Sequence, residues 1–255
     1  MRLAILPALL TLAAAAFYAG CSPADADAAR VPAGTSAGAG SVALGRTNHG
    51  TLRHARDVLA LGAPLRLLPK TVPRDLRYTT DELATALAGA AARVAAEFPG
   101  SVLSLGNLSA RAGGPIPFSV SHQNGLDADV AFYVRDAAGA PALPPDYLHF
   151  GADLRSRDHG GGWRFDTPRT WAFVRALLSD PTVDVQWLFV STALRAVLLA
   201  RARSSGAPPA LLARAARVLH QPGDAPPHDD HLHVRIYCPA GDRPLGCEDR
   251  GPRWP

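Results

Sequence analysis

Apolar residues between positions 80 and 98 recur every three or four residues, which is the spacing of one face of an α-helix. Thr79-Thr80-Asp81-Glu82 stands before them with the spacing of a capping box, and Pro99-Gly100 follows them. The pattern therefore predicts a helix over residues 80–98. The residues of its apolar face are Leu83, Leu87, Ala90, Ala91, Val94 and Phe98.

Beyond this helix the pattern alternates between strand spacing and helix spacing. Strands are predicted over residues 101–105, 127–134, 185–190 and 231–237. Helices are predicted from Thr167-Pro168 to about Leu178, from Ser191 or Thr192 through Arg203, and over residues 209–219. This order predicts an α+β fold, in which helices pack on a small, mostly antiparallel sheet.

The N-terminal residues have the composition of a targeting segment followed by a tether. Arg2 precedes an uncharged apolar run, and small residues stand before Cys21, as in a bacterial lipoprotein signal. Ordinary signal cleavage near Ala24-Asp25-Ala26 is the alternative, and both interpretations export the protein. Residues 22–44 are rich in Ala, Gly, Ser and Pro, which is typical of a flexible tether, so we expect one folded domain over residues 45–255.

Composition excludes several classes of protein. The chain is 47% hydrophobic and carries a net charge of only +4, so it has enough apolar surface to fold. Its three cysteines are too few for a small disulfide scaffold. The basic residues are scattered arginines, with Lys70 the sole lysine, which argues against nucleic acid as a partner.

Cysteine count supports export. If Cys21 is lipidated or removed, Cys238 and Cys247 remain as a pair that would close a short loop. Two free thiols are the alternative. An oxidising compartment favours the disulfide.

The first candidate site is Ser121-His122-Gln123-Asn124-Gly125-Leu126-Asp127-Ala128-Asp129, in which a turn leads into an apolar run. A turn followed by a strand can bring His122 and Asp129 to one point, and imidazole with carboxylate is a donor set used by catalytic zinc. Taken alone the spacing is weak evidence, because such residues are usually surface groups.

The second candidate site places three of the nine histidines, His228, His231 and His233, within six residues. On a strand, His231 and His233 would point to the same face, close enough for one to bind a metal while the other meets the metal's water. The alternative is an exposed His-rich loop that binds metal adventitiously.

Together the two motifs resemble the penicillin-insensitive murein endopeptidases, a branch of the lysostaphin and D-Ala-D-Ala metallopeptidase group. The resemblance rests on His122-x-x-Gly125-x-x-x-Asp129, on His231-x-His233 with Val234-Arg235 and Cys238-Pro239-Ala240, and on Ser156-Arg157-Asp158 between them. It implies one zinc ion held by His122, Asp129 and His233, His231 as the residue that transfers protons, His228 at the oxyanion, and a Cys238–Cys247 disulfide.

The chain departs from the family pattern at Ser119, in the residues after Asp158 and at Asp230. Ser119 and Gly161 stand where members often carry histidines of an auxiliary metal site, and His159 is displaced beside Asp158, so we expect one zinc rather than two. Asp230 stands where related carboxypeptidases carry an acidic proton shuttle. It would assist or orient His231, or it is a solvated turn residue.

The resemblance implies a zinc endopeptidase whose partner is peptidoglycan and whose substrate is the D-alanyl–meso-diaminopimelyl cross-link, and the export signal places it in the periplasm. A lipid on Cys21 would anchor it to a membrane. A D-Ala-D-Ala carboxypeptidase of the same group and a non-catalytic wall-binding lipoprotein are the alternatives.

Overall fold

The computed structural model describes residues 40–254, which form helices and strands. The helices are α1 (Asp81–Glu97), α2 (Thr167–Leu178), α3 (Thr192–Ser204) and α4 (Pro209–Val218). The strands are β1 (Val42–Arg46), β2 (His49–Arg53), β3 (Arg56–Asp57), β4 (Leu65–Leu67), β5 (Tyr78–Thr79), β6 (Leu103–Leu105), β7 (Asp127–Ala131), β8 (Val134–Arg135), β9 (Pro141–Ala142), β10 (Arg155–Ser156), β11 (Trp163–Phe165), β12 (Val185–Phe189), β13 (Leu219–His220) and β14 (His231–Ile236).

The main sheet has six strands in the order β13-β12-β14-β7-β6-β4. Its three central pairings are antiparallel, whereas β13 and β4 add to its two edges in parallel. The predicted α+β class is therefore confirmed, with parallel edge strands that the sequence pattern did not indicate.

Apolar and polar residues alternate along β14, so its side chains point to two different faces of the sheet. Leu232, Val234 and Ile236 are buried in the hydrophobic core that the helices share. His231, His233 and Arg235 alternate with them and therefore point to the opposite face. The chemistry-bearing residues of the second motif thus lie on the face turned away from this core.

Side-chain caps explain where three of the helices begin. The Oγ1 atom of Thr80 accepts a hydrogen bond from the Leu83 amide, so Thr80 is the N-cap of α1. Thr79 is instead a buried β5 residue whose hydroxyl donates to Gly125, so the capping box as predicted is not formed. Asp166 and Ser191 cap α2 and α3 in the same way as Thr80.

The strand predicted over residues 127–134 is interrupted. Strand β7 of the main sheet ends at Ala131. Strand β8 (Val134–Arg135) belongs to a separate four-stranded sheet of order β10-β11-β8-β9. Phe132 lies between the two strands and packs on Phe150 and Phe165. Residues 130–134 are all apolar and buried, so they form one continuous run across the end of β7 and the start of β8. The sequence pattern therefore does not show where the first strand ends.

The first described strands, β1 and β2, form a hairpin in which the Ala43 amide donates to Asp242. The targeting segment, Cys21 and most of the tether lie outside the described residues. Within residues 40–254, every helix is too short or too polar to cross a bilayer.

The Cys238–Cys247 disulfide is present and joins two residues whose Cα atoms are 5.9 Å apart. Both cysteines are buried in the hydrophobic core. The predicted pairing is therefore confirmed.

Candidate metal centre

Pairing of β7 with β14 brings the two sequence motifs together. Asp129 and His233 are direct cross-strand partners on neighbouring central strands. His122 lies in the loop before β7, where its amide donates to Asp127 at 3.1 Å. Gly125 allows the turn between them, because its φ of +79° disfavours side chains and a Cβ atom there would lie 2.9 Å from Leu52.

Three imidazole nitrogens converge on one carboxylate oxygen, Oδ1 of Asp129. His122 Nε2 lies 3.2 Å from it, and His231 Nε2 and His233 Nδ1 each lie 3.3 Å from it. One possible donor set, His122, Asp129 and His233, is buried throughout, with its donor atoms within 4.8 Å of one another. The structure thus brings together the three predicted ligands and places His231 beside them.

This donor set fits a tetrahedral zinc ion. Zinc ligands at about 2.0–2.2 Å from the metal stand roughly 3.3–3.6 Å apart in a tetrahedron, close to the 3.2 and 3.3 Å separations from Asp129. Both ring nitrogens of His122 and Oδ1 of Asp129 are buried without a hydrogen-bond partner in the described structure. Buried polar atoms normally have partners, and a cation between His122 Nε2 and Asp129 Oδ1 would satisfy these two atoms.

A second possible donor set consists of His228, His231 and His233. It shares His233 with the first set, so the two sets describe one region. His231 and His228 are less buried than His122 and Asp129, and Asp230 already engages Nδ1 of His231. Burial and unpartnered donors therefore favour the set that contains the carboxylate.

Asp127, the first residue of β7, contacts residues of both motifs. It is fully buried, and its Oδ1 atom lies 3.1 Å from His233 Nε2 and 2.6 Å from Arg235 Nε. Burial raises the pKa of this carboxyl, but Arg235 and His233 outweigh burial and hold the pKa well below its usual range. Asp127 therefore orients His233 so that Nδ1 faces Asp129.

Replacing Asp127 with asparagine should weaken metal binding by about 10- to 100-fold, because the change removes the charge that orients His233 and pairs with Arg235. Zinc affinity measured by competition with a chromogenic chelator checks this without an activity assay. Asp224→Asn, at an exposed position, is the matched control. Equal affinities in the two variants would mean that Asp127 has no role in orienting the ligand.

Two further side chains that the motifs do not contain hold the other oxygen of Asp129. Asn107 Nδ2 donates to Oδ2 at 3.2 Å, and the Tyr147 hydroxyl lies 3.4 Å from the same atom. Burial and the nearby Asp129 charge raise the pKa of Tyr147 well above its usual value, so it stays a neutral donor. These contacts leave Oδ1 directed at the histidines.

His231 is held by the residue before it. Its Nδ1 atom lies 2.6 Å from Asp230, while its Nε2 atom faces Asp129. Burial lowers the pKa of His231, but Asp129 and Asp230 outweigh burial and raise the pKa to about 10 in the structure without metal. Asp230 is thus a contact of His231 rather than a solvated turn residue.

His228 stands next to His231, with ring centroids 5.4 Å apart. Its amide donates to Gln221 and its carbonyl accepts from the Ser191 amide, so the backbone is fixed. Burial, together with positive charge on His231, lowers the pKa of His228 to about 4. His228 is therefore neutral near pH 7 and retains a ring N–H that can donate.

Asp158 and His159, which lie beside the departures from the family pattern, contact other side chains. Asp158 accepts hydrogen bonds from the His149 amide and the Ser156 hydroxyl. His159 lies 3.8 Å from Asp146 instead of joining Asp158. Neither of the two donor sets found between residues 40 and 254 includes Asp158 or His159.

Comparison with known proteins agrees with the geometry. A family model described as penicillin-insensitive murein endopeptidase matches residues 43–253, which is nearly the whole described part of the chain. No curated protein matches the chain. The chain belongs to the penicillin-insensitive murein endopeptidase family and is a hydrolase that acts on peptidoglycan.

Proposed function

We propose that the protein is a zinc endopeptidase that hydrolyses the D-alanyl–meso-diaminopimelyl cross-link of peptidoglycan, with zinc held by His122, Asp129 and His233. The observation that carries this proposal is the convergence of His122 and His233 on Oδ1 of the buried Asp129 carboxylate. Neither His122 Nε2 nor this Oδ1 atom has a hydrogen-bond partner in the described structure. Three protein donors with an open fourth position are typical of catalytic zinc, whereas structural zinc has four protein ligands. When bound, zinc would supply a Lewis acid and lower the pKa of water to near neutrality.

His231 is the proposed general base and acid. Its Nε2 atom lies beside the donor set. Zinc bound at Asp129 would offset the carboxylate charge that raises the pKa of His231, so the neutral ring can accept a proton from the attacking water and return it to the departing amine. Asp230 holds Nδ1 and thereby selects the ring orientation that leaves Nε2 free for this transfer.

His228 is proposed to stabilise the oxyanion that develops on the scissile carbonyl. Burial, the largest cause of its low pKa, keeps the ring neutral, and a neutral ring carries one N–H that can donate to that oxygen. The ring centroids of His228 and His231 lie 5.4 Å apart, and this closeness supports roles for both at one reaction centre.

The proposed compartment is the periplasm. The confirmed disulfide supports it, since such bonds persist in oxidising compartments. In this proposal residues 1–21 are a signal, residues 22–44 tether the zinc peptidase domain of residues 45–255, and Cys21 carries a lipid. The lipid rests on the sequence around Cys21 alone.

Digestion of purified cross-linked muropeptide dimers, read by mass, tests the proposed function. We expect two monomers whose masses sum to the mass of the dimer plus one water. After chelation of the metal we expect no product. Release of free D-Ala from monomeric pentapeptides, with the dimer left intact, would assign the carboxypeptidase activity instead. Binding of the wall without any product would assign the non-catalytic role.

A further inference from the structure

Arg74 lies one side chain away from the metal centre. It ends the 3₁₀-helix Pro69–Arg74, and its guanidinium donates to Asn107 Oδ1 at 2.9 Å. The amide of Asn107 in turn donates to Asp129 Oδ2 at 3.2 Å. A chain of two hydrogen bonds therefore fixes the position of this cation relative to Asp129.

The charge of Arg74 is not neutralised by the described residues. Within residues 40–254, no carboxylate oxygen lies within 4.0 Å of its guanidinium, whereas nearby Lys70 pairs with Asp146 and Arg77 pairs with Asp57. Asn107, its one hydrogen-bonding side chain, is neutral. Since a half-buried cation normally has a partner, Arg74 is available for an anion from outside the chain.

Arg74 also packs against a half-exposed aromatic ring. The Phe118 ring packs 3.8 Å from the guanidinium carbon and is itself 51% exposed. The guanidinium is thus oriented by Asn107 and Phe118, and Asn107 occupies only its Nη1 group.

We propose that Arg74 binds a substrate carboxylate on the leaving-group side of the scissile bond. This inference rests on the proposed function. In the D-alanyl–meso-diaminopimelyl link, the carbon that bears the scissile nitrogen also bears a carboxylate, so that carboxylate must lie near the metal centre during hydrolysis. A planar guanidinium can bind it through two parallel hydrogen bonds, which makes Arg74 a specificity-determining residue.

Two amidated substrates test this assignment. One muropeptide dimer carries an amide in place of the carboxylate next to the scissile nitrogen, and another carries an amide at the C-terminal D-Ala. We expect the zinc-loaded protein to prefer the unmodified dimer to the first amide by about 10- to 100-fold in kcat/KM, and to treat the second amide as unmodified. Arg74→Gln should remove that preference by slowing hydrolysis of the unmodified dimer alone, and Arg74→Lys should restore part of it.

Arg203→Gln, an exposed arginine on α3, is the matched control, and zinc content with thermal unfolding confirms that each variant is folded. Equal losses on the unmodified dimer and on the first amide would overturn the assignment, as would a preference set by the C-terminal D-Ala. Binding of the same peptides to the His231→Ala variant separates the two proposals. An Arg74-dependent binding preference without turnover in the wild type would refute the proposed function and support this subsite, whereas its absence would refute the subsite.

Discussion

His122→Ala and His233→Ala should each lose stoichiometric zinc and, with it, measurable hydrolysis of cross-linked muropeptides. Each change removes one of three proposed donors from a set in which Asp129 lies 3.2 Å from His122 Nε2 and 3.3 Å from His233 Nδ1. The loss in zinc affinity should exceed the roughly 10- to 100-fold typical of residues that only orient a ligand. Metal analysis after dialysis, combined with the digestion assay, checks this.

His54→Asn is the matched control for loss of an imidazole. His54 is exposed, and its positive φ is one that asparagine tolerates. The control should keep one zinc per chain and full activity. Full metal content in both His122→Ala and His233→Ala would exclude these residues as ligands.

His231→Ala should retain zinc and lose about 10²- to 10⁴-fold in kcat, because removal of a general acid and base has effects of that size. His228→Ala should lose about 10²- to 10³-fold for its role at the oxyanion. Asp230→Asn should lose less than His231→Ala, about 10- to 100-fold, since Asp230 acts only by holding His231. Single-turnover rates together with metal content distinguish the three variants.

Metal content of His231→Ala also decides between the two donor sets. His231 belongs to the set with His228 but not to the set with Asp129. Retained zinc with lost activity agrees with the proposed roles. Loss of zinc from His231→Ala, or unchanged activity, would contradict them.

Local signals explain why the helices were predicted closely. Helix α1 runs from Asp81 to Glu97, within the predicted range of residues 80–98. Its two signals, the apolar periodicity and the capping threonine, lie in the helix itself and directly before it, so they can be recognised without knowledge of the fold. Strands β8 to β11 have two or three residues each, and only their pairing defines them as strands. The pairing of β8 with β11 joins separate segments of the chain, Arg135 and Arg164. No pattern of such length distinguishes these strands from loops.

The same distinction applies to the candidate site. His122, Asp129 and His233 could be proposed from two motifs, and the structure places them together as expected. Asp127 could have been found as well, because a residue two positions before Asp129 shares its face of a strand. Asn107 and Tyr147 reach Asp129 from loops without a motif, so only the folded chain reveals them.

Zinc titration of the metal-free protein tests the central claim most directly, with hydrolysis of the cross-linked muropeptide dimer measured by mass at each step. We expect no hydrolysis without zinc and a linear rise that stops at one equivalent per chain. The His231→Ala variant should bind the same single equivalent without becoming active. Hydrolysis by the metal-free protein, or a rise that continues to two equivalents, would contradict a single zinc centre built from His122, Asp129 and His233.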